Sequence, residues 1–481
     1  MVKFSPSLFV LGFILLALGA AMLLTAAFAA FMREAQVSPF LSASFVTLFA
    51  GGAFIIANRQ SQIEFSPREA FLLTTMAWVG ACTFGALPFL LSADVSYADA
   101  FFETMSGLTT TGSTIFVGLD AMPKSVLLWR ALLNWMGGVG IVVMAIAILP
   151  FLRIGGMQLF KSESSDKSEK VLPRPGQVAG AIVQVYLILT AACAISYSLA
   201  GMNGFDAVCH AMATLATGGF STSDLSFAKF EAHSIHWIAT LFMFLGGCPF
   251  LLFVQMFQRR PFALLLDPQV QLYFSILFVA SLATAIWISA HSSESFIDAL
   301  RISAFNLTSI LTTTGFALGD YTLWGAFPIL LVFLFTFTGA CSGSTAGGIK
   351  VFRFQVIWIA FIAQMRRMIH PHAVVPRQYQ GTRLSEEVIG SILMFTTVYL
   401  LSVAAISLGL AALGAEFTTA ISGAATAVGN VGLGLGATIG PAGNFIALND
   451  AQVWLLSLGM LLGRLELMTV YVLLLPSFWR N

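Results

Sequence analysis

Charge is scarce in this sequence, and its cysteines follow no pattern. Only 9% of the 481 residues are charged, whereas soluble domains carry roughly 25%. The five cysteines stand alone in apolar or loop sequence, without the spacing of metal ligands. The formal net charge is +1, so no overall field attracts nucleic acid or an acidic partner. We therefore expect neither a soluble domain nor a nucleic-acid-binding protein, and we interpret the cysteines as packing residues.

Side chains that would support catalysis are missing as well. His233 and His236 precede an apolar run, and His370 and His372 flank a proline in a basic stretch. Neither pair is accompanied by an acid or a cysteine at metal-site spacing, and no nucleotide-binding motif occurs. We therefore expect no enzyme activity and no cofactor in this chain.

Long apolar runs dominate the chain instead. Hydrophobic residues make up 58% of it, and at least ten runs are long enough to cross a hydrocarbon core of roughly 30 Å as helices. The first run, at about 7 to 32, is too long for the apolar core of a signal peptide, so we interpret it as a spanning helix. The alternating pattern of a membrane barrel is absent. The sequence thus predicts an all-α integral membrane protein with ten spans.

A unit of helix, short helix, Thr/Gly loop and helix occurs four times after two unrelated helices. The loop glycines Gly112, Gly218, Gly315 and Gly432 follow one another at intervals of 106, 97 and 117 residues. Such regular recurrence indicates four parallel helix–pore-helix–loop–helix repeats around a central pore. The predicted divisions are a peripheral N-terminal helix pair (1–70), the first repeat (71–152), a cytoplasmic linker with the second repeat (153–258), the third repeat (259–365), and a basic linker with the fourth (366–481).

The distribution of basic residues predicts the orientation in the membrane. With the N-terminus in the cytoplasm, fifteen Lys and Arg residues fall in inner segments and five in outer ones, as the positive-inside rule requires. Both termini are then cytoplasmic, and every Thr/Gly loop lies on the outer side.

Loops of this composition suit a dehydrated cation. Backbone carbonyls can replace its hydration shell, and glycine allows positive φ and close approach of the backbone to the axis. Threonine hydroxyls offer further oxygens. Asp99, Asp206, Asp298 and Glu416 lie where the short helices begin, and we expect them to cap those helices rather than to bind the ion. The predicted selectivity filter comprises Thr110, Thr111, Gly112, Ala216, Thr217, Gly218, Thr313, Thr314, Gly315, Asn430, Val431 and Gly432.

Three short runs, together with the repeated unit, resemble a known family. The runs are Asn-Trp-Met-Gly-Gly-Val-Gly-Ile at 134–141, Ala-Thr-Gly-Gly-Phe-Ser at 216–221 and Thr-Thr-Thr-Gly-Phe at 312–316. They resemble the Trk/Ktr/HKT superfamily of potassium transporters over residues 71–478, and the extra N-terminal pair is similar to its Trk branch. The resemblance implies potassium as the ion, because glycine at all four filter positions goes with potassium preference in this family, whereas serine at the first would imply sodium permeability. This sequence departs from the repeated pattern at Ala216 and at Asn430-Val431.

The second helix of the third repeat is interrupted. Its apolar parts, 328–338 and 351–362, are each too short to span at about 1.5 Å per residue. Irregular backbone at membrane depth must face protein or a water-filled cavity, so we expect the intervening residues to line the pore just inside the filter. The resemblance implies that they form a movable gate. The predicted gate residues of this segment are Gly339, Ser342, Gly343, Ser344, Thr345, Gly347, Gly348 and Lys350.

Arg464 is the second gate candidate. It lies in the middle of a predicted helix at 453–475, where a lone charge must face the bundle interior or water rather than lipid. Glu466 is about 200° around that helix and is not an obvious partner on the same face. The resemblance implies that Arg464 is an electrostatic barrier in the pore. A structural ion pair with a buried acid is the alternative, and both interpretations also apply to Lys350.

Together these patterns predict potassium uptake through a channel-like pore in a bacterial inner membrane, driven by the electrochemical gradient. The alternative is a secondary symporter that couples sodium or protons to a solute, for which inverted repeats and a membrane acid are expected. The segments 153–177 and 364–384 are polar enough to dock a partner. The resemblance implies a homodimer and a cytosolic ring of nucleotide-binding, TrkA-like regulatory subunits. Any nucleotide is then expected on the partner, while this chain contacts membrane lipid.

Overall fold

Helices make up nearly all the regular structure of the protein. The computed structural model describes residues 3–59, 66–147, 175–258 and 260–480. Within these residues, seven helices are long and apolar enough to cross a membrane, or nine if each of two bent helix pairs is one span. This finding agrees with the predicted multi-pass, all-α membrane protein. Residues 153–174 of the predicted cytoplasmic linker lie outside the described residues.

The helices are numbered here in chain order. The first two predicted divisions contain α1 (Ser5–Met32), α2 (Val37–Ala57), α3 (Pro67–Gly85), α4 (Leu87–Ser92), α5 (Tyr97–Leu108) and α6 (Lys124–Ala147). The third contains α7 (Pro175–Leu199), α8 (Gly204–Leu215), α9 (His233–Gly246) and α10 (Phe250–Gln258). The fourth contains α11 (Ala263–Leu266), α12 (Pro268–His291), α13 (Phe296–Leu311), α14 (Ala326–Thr336) and most of α15 (Val351–Ile369).

After the end of α15, the last division contains a small hairpin followed by helices. The antiparallel strands of the hairpin are β1 (Gln378–Tyr379) and β2 (Thr382–Arg383). The helices are α16 (Glu386–Ala412), α17 (Phe417–Gly429), α18 (Gly436–Ile439), α19 (Asp450–Arg464), α20 (Met468–Tyr471) and α21 (Pro476–Trp479). Among the described residues, short 3-10 turns lie at Leu119–Ala121, Ser226–Lys229, Tyr321–Leu323 and Val472–Leu474.

The N-terminal helix pair packs as a tight hairpin. Helices α1 and α2 approach so closely that a Cβ atom on Gly12 would lie 2.8 Å from the carbonyl oxygen of Gly51. Leu15 on α1 is fully buried, and α1 also contacts α3 and α6. On α2, Phe45 and Phe49 are exposed, as expected for a helix that faces lipid on one side. The pair therefore lies against the outside of the first predicted repeat.

Two pairs of consecutive helical segments meet at sharp bends. Helices α9 and α10 meet at 95°, and the bend between α19 and the turns that follow it is 107°. Pro249 lies at the first bend, where it lacks the N–H of a helical hydrogen bond. At the second, Glu466 and Leu467 have left-handed φ values of 59° and 42°. The prediction of an unbroken helix at 453–475 is therefore wrong, and Arg464 is the last residue of α19 instead of the middle of a spanning helix.

The predicted interruption between α14 and α15 is confirmed. Residues 337–350, called here the interhelix segment, contain only an isolated parallel bridge between Thr338 and Ile349. The N–H of Gly339 donates to the carbonyl oxygen of Ile349 at 2.8 Å, so the segment turns back on itself. Helix α14 has 11 residues and is too short to cross a membrane alone.

Candidate functional site

Four short helices, α5, α8, α13 and α17, carry the Thr/Gly loops at their C-terminal ends. In the first three, a side chain at the N-cap accepts a hydrogen bond from the N–H of the acid three residues later. These pairs are Ser96 with Asp99, Asn203 with Asp206, and Ser295 with Asp298. The prediction that the acids themselves cap these helices is therefore wrong, although they lie in the first turn, where negative charge is favourable. Glu416 does occupy the N-cap position of α17, but its side chain makes no capping hydrogen bond.

Each of these helices ends in the same backbone turn. One loop residue has a left-handed φ between 49° and 55°, and the N–H of the next residue bonds to a helix carbonyl five residues earlier. Left-handed φ is uncommon outside glycine, so its recurrence identifies equivalent positions in the four loops. These residues are Thr110, Thr217, Thr313 and Asn430.

A glycine with positive φ follows two residues after each left-handed residue. The four glycines and their φ values are Gly112 (89°), Gly219 (73°), Gly315 (80°) and Gly432 (103°). The equivalent of Gly112 in the second loop is thus Gly219, one residue beyond the predicted Gly218. The sequence has adjacent glycines at this point, and only the backbone conformation distinguishes them. Gly218 instead corresponds to Thr111, Thr314 and Val431.

The four loops contact one another in chain order and close into a ring. Each of the four glycines faces a carbonyl oxygen of a neighbouring loop at a distance that leaves no room for a side chain. A Cβ atom built on Gly112 would lie 2.6 Å from the carbonyl oxygen of Gly218, and one built on Gly219 would lie 2.1 Å from the carbonyl oxygen of Thr314. A Cβ atom on Gly315 would lie 2.1 Å from the carbonyl oxygen of Val431, and one on Gly432 would lie 2.3 Å from the carbonyl oxygen of Thr111. Glycine is therefore required at these positions both by space and by φ.

The hydroxyls of the ring are largely engaged within the protein. Thr111 Oγ1 lies 2.7 Å from Thr109 Oγ1 and accepts a hydrogen bond from Asn430 Nδ2 at 3.0 Å. Thr314 forms the equivalent hydroxyl pair with Thr312. The hydroxyl of Thr110 is buried and has no partner among the described residues. The threonine side chains thus stabilise the backbone of the loops. At most some of their hydroxyls are free to offer oxygens to a cation, as the sequence predicts.

The interhelix segment lies directly against three of the four loops. Thr345 Oγ1 donates to the carbonyl oxygens of Leu215 and Gly246, both at 3.1 Å, and accepts from Thr217 Oγ1 at 3.0 Å. The Gly347 N–H donates to Thr313 Oγ1 at 2.7 Å. On the side of the fourth loop, a Cβ atom on Gly347 would lie 2.4 Å from the carbonyl oxygen of Gly429. The segment is therefore anchored on the second, third and fourth loops.

A small cavity brings most of the predicted gate residues together. It has a volume of about 30 Å³ and lies between the interhelix segment and the end of α19. Its lining includes Ser342, Gly343, Ser344, Gly347, Gly348, Lys350 and Arg464. Gly339 and Thr345 do not line it. Lys350 Nζ is buried and donates a hydrogen bond to the carbonyl oxygen of Ala346.

Arg464 contacts the interhelix segment through its guanidinium. Nη1 donates to the carbonyl oxygen of Thr345 at 2.9 Å. Its Nε and Nη2 atoms are buried and have no hydrogen-bond partner in the part of the chain that the structure describes. Glu466 forms an ion pair with Arg353 on α15, and no ion pair joins Arg464 to a described residue. Glu466 thus pairs with another residue, although the helical geometry on which that expectation rested does not apply, because α19 ends at Arg464.

Sequence reasoning missed two buried ion pairs near this site. Glu103 on α5 pairs with Arg130 on α6, and Arg353 pairs with Glu466 beyond the bend at the end of α19. A charged residue in an apolar span is itself a signal, because such residues are rare unless they are paired or functional. The partners could not be assigned from sequence, since they are 27 and 113 residues apart.

A network of exposed and half-buried charges joins the segments that follow the first two loops. Lys229 Nζ donates to Asp120 Oδ1 at 2.9 Å, and Ser223 Oγ donates to Asp120 Oδ2 at 2.8 Å. Burial of Asp120 opposes its ionisation, but these hydrogen bonds and the positive charge of Lys229 outweigh burial and hold its pKa below the usual value. This connection between the two segments is thus ionic at neutral pH.

Comparisons with known proteins agree with this geometry. A family model described as TrkH, cation transport protein, matches residues 36–480. The Trk system potassium uptake protein TrkI of Halomonas elongata is 46% identical over 438 residues, which cover 91% of this chain and 89% of that protein. The Trk system potassium uptake protein TrkH of Vibrio parahaemolyticus is 38% identical over the full length of both chains.

The crystal structure of the potassium transporter TrkH from Vibrio parahaemolyticus has a TM-score of 0.92 to this chain at 36% identity and covers 100% of both chains. The fold and the sequence therefore lead to the same family, which consists of transporters and not of enzymes. The chain belongs to the TrkH family of cation transport proteins.

Proposed function

We propose that this chain is the pore subunit of a potassium uptake system in a bacterial inner membrane. The closed ring of four Thr/Gly loops is the observation that carries the proposal. Its glycines allow backbone carbonyls to converge, and carbonyls can replace the hydration shell of a potassium ion without placing a full charge in the membrane. The names of the relatives, which are potassium uptake proteins, support the same ion.

The chain crosses the membrane ten times in this proposal. Each bent pair counts as one span, and α14 with α15 forms one further, broken span. Four parallel repeats then surround the pore, with both termini in the cytoplasm. The recurrent left-handed turn after α5, α8, α13 and α17 supports the equivalence of the repeats.

The filter consists of the predicted loop residues, and Gly219 rather than Gly218 is the glycine through which the second loop contacts the third. Potassium is the transported substrate, and it moves down its electrochemical gradient. The membrane potential supplies about 2.3 kcal/mol per charge for each 100 mV. No other energy source is required of this chain.

The gate consists of the interhelix segment and Arg464. Anchoring of the segment on three loops supports a position across the inner end of the filter. The buried guanidinium of Arg464, which lacks a paired acid among the described residues, supports an electrostatic barrier to a cation. Opening requires the segment and the guanidinium to move apart.

Assembly and regulation come from other chains. By the resemblance stated above, the pore protein forms a homodimer and docks a cytosolic, nucleotide-binding TrkA-like subunit. The words "Trk system" in the names of the relatives support a function with several components. Nucleotide then acts on the partner subunit.

The test is rubidium uptake by cells that lack their own potassium uptake systems and express this chain. We expect uptake at limiting potassium, and we expect Gly112→Ser to lower the ratio of rubidium to sodium uptake about tenfold or more, because a side chain there displaces the carbonyls. Gly140→Ser is the matched control, since a Cβ atom on Gly140 meets nothing within 4 Å. Absence of uptake, or an unchanged ratio in Gly112→Ser, would contradict the proposal. Uptake that depends strictly on a sodium or proton gradient would instead favour the symporter.

A further inference from the structure

The buried ion pair between Glu103 and Arg130 lies immediately behind the ring. Neither side chain is more than 1% exposed, and Arg130 Nε donates to Glu103 Oε1 at 2.7 Å. Glu103 also accepts from the hydroxyl of Thr114, at 3.0 and 3.1 Å to its two oxygens, and from the Ile115 N–H at 3.1 Å. The carboxylate therefore holds the backbone that leaves the first loop.

Arg130 connects this backbone to the second loop. Its Nη1 donates to the carbonyl oxygen of Ser221 at 2.7 Å, and its Nη2 donates to Thr114 Oγ1 at 3.1 Å. The guanidinium carbon lies 4.2 Å from the centre of the Phe220 ring, within the range of a cation–π contact. Thr114 and Ser221 each lie two residues beyond a ring glycine, Gly112 and Gly219. One guanidinium thus fixes equivalent points of two adjacent loops.

The position of Glu103 is occupied differently in the other three short helices. Glu103 lies seven residues before Thr110, the left-handed residue of the first loop. The residues seven positions before the left-handed residues of the other three loops are His210, Asn306 and Gly423. Asn306 Oδ1 accepts from the Leu318 N–H at 3.1 Å, and Ser422, beside Gly423, accepts from the Leu435 N–H at 2.9 Å. His210 Nε2 lies 3.1 Å from Ser221 Oγ. All four helices therefore brace their own loop, but the first does so with a carboxylate.

Among the described residues, the hydrogen bonds that join the other neighbouring loops close to the ring are made by neutral groups, and one of them is the Asn430 amide that donates to Thr111 Oγ1. Phe227 N–H donates to Ala317 O at 3.1 Å between the second and third loops, and Tyr321 OH donates to Gly434 O at 3.2 Å between the third and fourth. Ser113 Oγ donates to Gly432 O at 2.9 Å between the fourth and first. Charge-assisted hydrogen bonds are roughly twice as strong as neutral ones. The first and second loops are therefore joined more rigidly than the others near the ring.

We infer that Glu103 and Arg130 are positioning residues for ion selectivity. Neither contacts the inner side of the ring, and the pair is formally neutral, so it acts through geometry rather than through attraction of the ion. It fixes the spacing between the first and second loops, and this spacing sets how the carbonyls converge. The inference rests on the proposed function, because it concerns the selectivity of the same ring.

The experiment compares rubidium and sodium uptake by the purified full-length chain in liposomes. The ratio of the two rates does not depend on how much protein is correctly folded, so a purely structural loss of material leaves it unchanged. We expect Glu103→Gln and Arg130→Gln each to lower the ratio about tenfold, the loss expected for a charge-assisted hydrogen bond that supports the selective geometry. The double variant is expected to be no less selective than the single variants, because both changes break the same ion pair.

Arg130→Lys is the variant to use if neutral replacements do not accumulate. Lysine retains the positive charge beside Glu103 but cannot reproduce the planar fork that reaches Thr114 and Ser221, so we expect an intermediate ratio. Arg377→Gln is the matched control, since Arg377 pairs with an exposed Glu386 away from the ring. Equal wild-type uptake of the two ions would overturn the proposed function. A selective wild type with unchanged ratios in Glu103→Gln and Arg130→Lys would overturn this inference alone.

Discussion

Arg464 Nη1 lies 2.9 Å from the carbonyl oxygen of Thr345, to which it donates a hydrogen bond. This contact joins the end of α19 to the interhelix segment at a point where Thr345 also contacts the second loop through its side chain. A single buried guanidinium thus touches the segment that is anchored on three loops of the ring.

Replacement of Arg464 by alanine should raise the flux of rubidium. The change removes a buried positive charge and the contact with Thr345, and a reduction of about 1.4 kcal/mol in the barrier corresponds to a tenfold rise in rate. The measurement is rubidium uptake in liposomes, with Arg464→Lys as the control that keeps the charge. A lower flux in a normally folded Arg464→Ala protein would favour a structural role for the arginine.

Loss of the Thr345 hydroxyl should also increase basal flux. Thr345→Val keeps the shape of the side chain but removes the donor shared by the carbonyl oxygens of Leu215 and Gly246, and an unmade buried hydrogen bond costs about 1–3 kcal/mol. Thr345→Ser retains the hydroxyl and should behave like the wild type. If valine and serine give the same flux, this hydroxyl does not hold the interhelix segment in place.

The two adjacent glycines of the second loop should respond differently to alanine. In Gly219→Ala the new Cβ atom meets the backbone oxygen of Thr314 at 2.1 Å at a φ of 73°, so we expect loss of uptake. In Gly218→Ala it meets the side chain of Asn134 at 2.5 Å, which can move at some cost, so partial uptake should remain. Rubidium uptake normalised to protein in the membrane distinguishes the two. Greater damage from Gly218→Ala would mean that the ring contact is assigned to the wrong glycine.

The Arg353–Glu466 ion pair should contribute strongly to stability. Arg353 is fully buried and its guanidinium carbon lies 3.7 Å from the centre of the Phe395 ring. Glu466→Gln leaves that charge without its carboxylate, and breaking one side of a buried pair costs about 3–5 kcal/mol. Thermal unfolding in detergent should therefore begin at a clearly lower temperature. Glu386→Gln, which breaks an exposed pair, should leave the transition unchanged, and equal transitions in both variants would contradict the prediction.

The repeated loops could be predicted from sequence because local chemistry specifies them. A short apolar helix followed by threonine and glycine gives the same turn wherever it occurs, and Thr110 and Thr313 have nearly the same φ, 52° and 55°. The interruption before Val351 was predictable for a similar reason, since Gly, Ser and Thr replace the apolar residues there. In both cases the signal lies within about a dozen neighbouring residues.

Other features depend on contacts that are distant in sequence. The stretch Arg464-Leu465-Glu466-Leu467 contains no glycine or proline, and at the bend after α19 Glu466 meets Arg353 across 113 residues. The choice of Gly219 over Gly218 likewise depends on the neighbouring loop, because both residues are equally flexible before the ring forms. Packing between helices decides these features, and a single sequence carries no direct record of it.

Closure of the ring also has a consequence for biosynthesis. Ser113 of the first loop bonds to the carbonyl oxygen of Gly432 in the fourth, 319 residues later. At about 5–20 residues per second, the ribosome needs roughly a quarter of a minute to a minute to supply the second partner after the first. During this interval the loops already made lack the fourth loop, which closes the ring. A chain released before its fourth loop is made therefore lacks the contacts on both sides of that loop.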